Sequence, residues 1–358
     1  MSMIIERCKN NEFSLIAEIG VNYYDIARKL NISLMDAAKT MVLSAKNAGI
    51  HAVKFQSYKA ETLASKYSPS YWDTSEEPTT SQYALFKKFD LFGEAEYQEI
   101  HEFCTQVGIE FCSTPFDFES ADYLDAMMDV YKISSSDLTN LPFIAYMAKK
   151  GKPILLSTGA SNLDEIHEAV DCIRQYNDRE LVLLHCVLEY PTPYEHANLS
   201  KINALKQEFP QVYVGYSYHT KPDASYDVLK TAYLLGATVV EKHFTLDKTL
   251  QGNDHYHAMD PHDAEEILAA IEHIDCLKGT ANLEALPSEK AARENARRSI
   301  VAAVDISAED ILTEKMLTFK RPGTGISPRD LPKIVGRAAR TDIKKDSLLN
   351  WQMLTGNM

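Results

Sequence analysis

Eight short apolar runs recur along the chain at fairly even spacing, with amphipathic stretches between them. This alternation limits the fold more than any other feature. The runs are SLIAEIG (14–20), HAVKFQS (51–57), IEFCSTP (109–115), VYKISSS (130–136), PILLSTG (153–159), LVLLHCV (181–187), VYVGYSY (212–218) and TVVEKHF (238–244). Each is of strand length and rich in β-branched or aromatic residues. Between them, Leu34, Ala38, Met41 and Ala45 fall on one helical face, with Gly49 placed to end that helix. Ile267, Leu268, Ile271 and Ile274 do the same ahead of Gly279. Strand–helix alternation repeated eight times predicts a parallel (β/α)8 barrel of the TIM type. The rival is an open doubly wound sheet. No Gly-rich phosphate loop follows the first strand, which argues against dinucleotide binding.

The 358 residues suit one large barrel with a small appendage. Residues 1–278 are assigned to the barrel, 279–297 to a linker or exposed helix, and 298–358 to a separate small domain of short apolar runs and turns. The segment 58–93 is a long insertion after the second strand. Its aromatic residues and its place on the catalytic side of a barrel predict a lid.

Net charge is −14, which disfavours nucleic acid as a partner. It does not exclude a small anionic substrate, because a few lysines in a cleft set the local field. Six cysteines without CxxC spacing predict neither a disulfide framework nor a zinc knuckle. There is no run of 18 or more apolar residues and no signal-peptide pattern at the N-terminus, so no membrane association and a cytoplasmic location are expected.

In such barrels the chemistry sits at the C-terminal strand ends. Here those ends are unusually polar: Glu18, Lys54, Gln56, Ser113, Thr114, Lys132, Ser134, Ser135, Ser157, Ser217, His219, Glu241 and His243. Alternation places Lys54 with Gln56, Lys132 with Ser134, and Glu241 with His243 on inward faces. A lysine inside a barrel is costly unless it meets an anion or a carboxylate. Buried ion pairs, such as Glu18 with Lys54, are one explanation. A phosphate site is the other, with lysines supplying point charge and Ser/Thr hydroxyls completing the shell. His219 and His243 end neighbouring strands and are suited to share one divalent metal whose remaining positions take water and substrate. His255 and His257 form an H-x-H pair on the loop that follows, where His257 is expected at the pocket rim.

A series of motifs carries a specific resemblance. AEIGVN (17–22), VKFQ (53–56), FCSTPFD (111–117), YKISSSD (131–137), PILLSTGAS (153–161), LLHCVLEYPTPYE (183–195), GYSYHT (215–220), EKHFTLD (241–247) and GNDHYHAMDP (252–261) follow the order of the sialic acid synthase family. The tail, with KRPGTGI (320–326), resembles that family's small β-rich antifreeze-like domain. The resemblance covers nearly the whole chain. It implies an enzyme that condenses phosphoenolpyruvate with a six-carbon N-acetylated amino sugar to a nine-carbon 2-keto acid plus phosphate. It further implies that Lys54, Thr114, Lys132, Ser135, Ser157 and Ser217 hold phosphoenolpyruvate, and that His219 and His243 bind Mn²⁺ or Mg²⁺. Glu18, Gln56, Asp137, Tyr190, Asp254 and His255 would face the sugar or the reacting carbons, with Glu18 and then Asp137 as candidates to guide a water. Arg321 would reach the partner's site in a domain-swapped homodimer.

The chain departs from the family pattern in three places. Tyr23-Tyr24-Asp25 stands where His-Asn-Gly or similar is common, Tyr218 where an Asp commonly precedes the seventh-strand histidine, and Ala258 where Ser is common. The first two fall at the expected catalytic mouth. Two other readings stay open: another metal-dependent barrel lyase or aldolase, and a degenerate member that binds sugar without catalysis.

Overall fold

A computed structural model of the chain describes residues 1–72, 74–75, 77–252 and 254–356. The eight runs form eight strands: β1 (Ser14–Gly20), β2 (Ala52–Ser57), β3 (Glu110–Pro115), β4 (Tyr131–Ile133), β5 (Ile154–Ser157), β6 (Leu181–Cys186), β7 (Tyr213–Tyr218) and β8 (Val239–His243). Their order is β3-β2-β1-β8-β7-β6-β5-β4, and every ladder is parallel. β3 and β4 lie side by side to complete the circle, with no ladder between them among the described residues. At that seam the Ser113 amide donates to the Met128 sulfur, at 3.0 Å. The barrel expected from the sequence is therefore present. β4 is shorter than the run 130–136. The Ser134 hydroxyl accepts from the Ser136 amide and turns the chain into a 3-10 helix, Ser135–Asp137.

Residues 3–9, unassigned from the sequence, form α1 (Met3–Lys9), with Ser2 as its N-cap. Ile4, Ile5 and Cys8 of α1 pack with Ile16, Ala52, Cys112, Leu155, Val182, Leu184 and Val239. These are the inward residues of the lower strands, so α1 plugs the bottom of the barrel. Two residues further along the same faces the interior changes character. Ile16 is followed by Glu18, Ala52 by Lys54, Cys112 by Thr114, Leu155 by Ser157 and Val239 by Glu241. Period-two alternation thus stacks a dry apolar layer beneath a polar one. The opposite strand faces, with Leu15, Val53, Phe111 and Val240, form the larger core against the helices.

After β1 come α2 (Tyr23–Leu30) and α3 (Leu34–Asn47), the latter capped by the Ser33 side chain. The insertion after β2 contains α4 (Ala60–Leu63) and α5 (Gln82–Lys88), and α6 (Glu94–Val107) returns the chain to β3. The insertion is fastened at its base. Lys59 Nζ donates to the carbonyls of Asp90 (2.8 Å) and Phe92 (2.9 Å), and the Leu91 amide donates to the Tyr24 hydroxyl (2.9 Å). The Tyr23 ring stacks on Phe92, with centroids 4.8 Å apart, and Tyr24 meets Phe89 edge-on. Tyr23 and Tyr24 therefore do not occupy the catalytic mouth. Both are buried, because two aromatic rings gain more from that cluster than from water. Asp73 and Glu76 of the expected lid, and Asn253, lie outside the described residues.

Residues Met1–Lys278 and Gly279–Met358 form two compact units. In the second, residues 279–297 are exposed throughout and carry the short helix Lys290–Asn295. Beyond them β9 (Ser299–Ala302) and β10 (Leu317–Lys320) pair antiparallel over a core of Ile300, Leu312, Ile326, Ile334, Ile343 and Leu349. Among the described residues no helix is long and apolar enough to cross a membrane.

Gly215 shows how tightly the strands are set. A Cβ there would stand 2.4 Å from the Val239 carbonyl oxygen of β8 and 2.4 Å from Leu184 Cδ2 of β6. Gly215→Ala should therefore destabilise the barrel by about 1–3 kcal/mol, since backbone cannot rotate out of the way. An unchanged urea midpoint for this variant would show that the strands are not packed this closely.

Candidate active site

Four charged side chains meet in the polar layer. Lys54 Nζ is in ion-pair contact with Glu18 Oε2 and lies 3.8 Å from Glu241 Oε1. Lys132 Nζ lies 3.5 Å from the same Glu241 oxygen. Lys54 is 3% exposed and Lys132 4%. Lys54 also donates to Thr114 Oγ1 (3.0 Å), Gln56 Nε2 to Glu18 Oε1 (2.7 Å) and Ser217 Oγ to Glu241 Oε1 (3.4 Å). Strand register explains the grouping: Glu18 lies opposite Lys54 and Ser217 opposite Glu241. The Glu18–Lys54 ion pair considered from the sequence is thus present, and Glu241, given no role there, is the carboxylate common to both lysines. Its signal was the alternation with His243.

Burial and the opposite charges compete to set the charge states. It pushes the Glu18 carboxyl up to about 7, only partly offset by Lys54. Burial acts the same way on Glu241, but Lys132 and Lys54 outweigh it and hold that carboxyl below its ordinary range. The Lys54 ammonium is disfavoured by burial, yet Glu18 and Glu241 hold its pKa above the usual value. For Lys132 burial wins and the pKa falls. Beside this group Ser157 Oγ and Glu241 Oε2 are buried with no hydrogen-bond partner. Buried polar atoms are nearly always satisfied, so their clustering marks a place where a polar ligand completes the shell. Ser135, on the 3-10 turn after β4, accepts from the Gly159 amide (2.9 Å).

The histidines form a second group above. The His219 and His243 rings are 5.7 Å apart, and His257 stands 5.1 Å from His243. Tyr190 lies against His219 with centroids 4.2 Å apart. His219 Nδ1 lies 3.0 Å from the Val187 carbonyl, to which it donates, leaving Nε2 as the ligating nitrogen. His243 Nδ1 is buried without a partner. Burial lowers the pKa of His219, His243 and His257 to about 3, so all three are neutral near pH 7. Neutral imidazoles with free nitrogens fit a divalent metal. Among the described residues no three His, Cys, Asp or Glu side chains converge to enclose an ion. His257 is not at the rim. It is fully buried, because its ring fills the gap between His243 and Tyr256.

The other assigned residues fall as follows. Asp137 lines the pocket, accepts from Asn140 (3.2 Å) and has its pKa raised by burial. Asp254 also lines it, with Oδ1 4.0 Å from His243 Nε2 and 3.7 Å from His257 Nε2. His255 reaches the pocket wall but is 1% exposed, its nitrogens held by Thr245 Oγ1 (2.8 Å) and Asp25 Oδ2 (3.2 Å). Arg321 lies in the other compact unit, exposed on the turn after β10. Tyr218 does not stand among the metal candidates. Alternation turns it outward, where Lys242 Nζ sits 3.4 Å from its ring centroid.

Above the polar layer opens a cavity of about 640 Å³, lined by Gln56, Ser134, Asp137, Tyr190, His243 and Asp254 among others. A buried charged layer beneath a roomy polar-edged cavity, at the C-terminal ends of the strands, defines the class: a TIM-type barrel with its candidate active site at the top of the sheet.

Comparison with known proteins specifies that class. The NeuB family matches residues 41–282 and the SAF domain residues 297–355. The chain is 35% identical to the N,N'-diacetyllegionaminic acid synthase of Legionella pneumophila, over 94% of this chain and 93% of that protein. It is 29% identical to the human N-acetylneuraminate-9-phosphate synthase, over 94% and 90%. The crystal structure of the N-acetylneuraminic acid synthetase of Leptospira borgpetersenii superposes with a TM-score of 0.67 at 30% identity, over 79% of this chain and 90% of that one. The chain belongs to the NeuB family and carries a C-terminal SAF, or antifreeze-like, domain.

The raised Glu18 pKa has a consequence for stability. A carboxyl whose folded pKa lies above its ordinary 4.5 contributes stability that is complete below that value and is lost as pH rises through about 7. Glu18→Gln, fixed in the neutral form, should lose less stability than the wild type between about pH 5 and about pH 8. Equal slopes of urea midpoint against pH would place that titration elsewhere.

Proposed function

We propose that this chain is a nonulosonic acid synthase. It condenses phosphoenolpyruvate with a six-carbon N-acetylated amino sugar, N-acetylmannosamine or a di-acetamido analogue, to a nine-carbon 2-keto acid and phosphate. One observation carries this reading: two buried lysines, set among hydroxyls, lie directly beneath a sugar-sized cavity edged by the neutral His243 imidazole. Family membership and the names of the relatives support it.

In this reading Lys54 and Lys132 hold the phosphate and carboxylate of phosphoenolpyruvate, with Thr114, Ser135, Ser157 and Ser217 completing the shell. Their carboxylate partners keep both ammonium groups in place before the anion arrives. His219 and His243 would hold Mn²⁺ or Mg²⁺, whose chemistry there is to polarise the aldehyde of the open-chain sugar. Gln56, Tyr190 and Asp254 orient the sugar from the pocket side. The methylene carbon of phosphoenolpyruvate bonds to the aldehyde carbon, and positive charge develops at the carbon bearing the phosphate. Water adds to that carbon as Glu18, or Asp137 from the opposite side, accepts its proton. The carbon–oxygen bond to phosphate then breaks as the added hydroxyl passes its proton to the departing phosphate, leaving the 2-keto group. The aldehyde oxygen takes up a proton and becomes a hydroxyl.

The deciding experiment measures phosphate release from phosphoenolpyruvate, with and without an amino sugar, in Mn²⁺ and in excess chelator. Sugar-dependent release that chelator abolishes is expected. Release independent of sugar, or undiminished in chelator, rejects the reaction or the metal respectively. Lys132→Met should lower kcat/KM at least about tenfold, because a hydrogen bond to a charged group contributes about 1.5–3 kcal/mol. Unchanged kinetics would place the anion elsewhere.

Arg321 is proposed to enter the partner's pocket in a domain-swapped homodimer, where its rigid fork of donors meets the sugar. Mixing inactive Arg321→Ala and Lys132→Met chains under conditions of subunit exchange should restore activity, because one site of the mixed dimer carries neither defect. Proven exchange without recovery would remove Arg321 from the partner's site.

A further inference from the structure

A pair of metal-binding imidazoles must be aimed as well as placed, and for one of the pair the aiming comes from behind β8. Taking His219 and His243 as the metal ligands proposed above, we infer that Lys242 is a positioning residue. It holds the His257 backbone, seats the His257 ring against His243, and so sets the angle at which His243 meets a divalent cation.

The two histidines are held by different means. A ligating imidazole is ordinarily aimed by a hydrogen bond at its other nitrogen. His219 has one, to the Val187 carbonyl at 3.0 Å. His243 has none among the described residues: Nδ1 is buried without a partner, and Nε2 stands 4.0 Å from Asp254 Oδ1. What bears on its ring is the His257 ring, edge-on at 82° with centroids 5.1 Å apart. His257 is fully buried, and neither of its nitrogens has a hydrogen-bond partner. Its ring is therefore placed by packing and by the backbone that carries it.

That backbone is fastened from the far side of the strand. Lys242 precedes His243 and points away from the barrel interior. Its Nζ donates to the His257 carbonyl at 3.1 Å and lies 3.4 Å from the centroid of Tyr218, its partner across the β7–β8 ladder. Lys242 is buried and pairs with no carboxylate among the described residues, Asp223 and Asp263 attracting it only from further off. An ammonium taken out of water is costly, and a methionine would fill the same space without that cost. What the charge adds here is the bond to His257. The Tyr218 ring, steadied edge-on by Tyr216 at 5.5 Å, offsets the charge and leaves an N–H bond aimed at the carbonyl. Tyr218 stands where an Asp is common, and a carboxylate opposite Lys242 would compete with that carbonyl for the same protons. Close by, the Met259 amide donates to the His243 carbonyl at 2.8 Å, so strand end and loop move as one unit.

The test measures Mn²⁺ affinity of the full chain by titration calorimetry, with no substrate present. Lys242→Met should weaken it roughly 10- to 100-fold in a protein that circular dichroism shows to be folded. A purely structural role would lower the urea midpoint and leave the Mn²⁺ affinity of the folded protein at the wild-type value, a result that overturns the proposal. Two variants at His257 probe the same contacts without touching the lysine, and they decide the matter if Lys242→Met does not fold. His257→Phe keeps a ring and should bind Mn²⁺ nearly as tightly as the wild type. His257→Ala should bind it roughly tenfold or more weakly. Equal weakening in both would make a His257 nitrogen the acting group, and no weakening in either would leave the ring without effect; each overturns the proposal. Failure of the metal reading itself looks different: the wild type takes up no Mn²⁺, or His243→Ala binds it as well as the wild type, and the proposal falls with that reading.

Discussion

The interaction on which the rest depends is the alternating chain of charge Glu18–Lys54–Glu241–Lys132, buried inside the barrel. Taking one ion out of water costs several kcal/mol, and mutual attraction offsets this only when partners are close and remaining polar atoms are bonded. Two acids and two bases, on β1, β2 and β8 and across the barrel on β4, make a formally neutral set. Gln56, Thr114 and Ser217 take up further oxygens and protons. The arrangement is poor as a source of stability and well suited to receive an anion, because both lysines are already desolvated and aimed. It also explains why the apolar layer and the α1 plug lie directly beneath. Water reaching the quartet from below would weaken every attraction in it.

The barrel was legible because its signal is redundant. Eight apolar runs, each flanked by helix-period segments, point to one architecture, and an error in any one run leaves the count intact. What escaped the sequence was local. α1 is too short for periodicity to register, and only its packing against Ile16 and Leu155 shows its purpose. The early end of β4 follows from one hydroxyl, Ser134, capping a turn that the run VYKISSS does not announce.

The site was legible to the extent that alternation determines facing. Lys54, Lys132, Glu18, Ser217 and His243 all lie inward because their strand positions require it. Loop residues obey no such rule. His257 is buried where the sequence read as pocket rim, and His255, read as facing the sugar, is held by Asp25 and Thr245. The two tyrosine departures resolve differently. Tyr218 is turned outward by parity, which the sequence could have told. Tyr23 and Tyr24 anchor the insertion, a contact between segments some 65 residues apart that no local pattern encodes.

The helical plug at the foot of the barrel has a further consequence. With Ile4, Ile5 and Cys8 closing one end, the interior is, among the described residues, a vessel shut at its foot, and the cavity lined by Gln56, His243 and Asp254 is its neck. Two guests in such a vessel cannot exchange places. If the proposed reaction seats one guest below the other, the deeper one arrives first and departs last, an order that would follow from the shape of the barrel and not from the affinities of the guests.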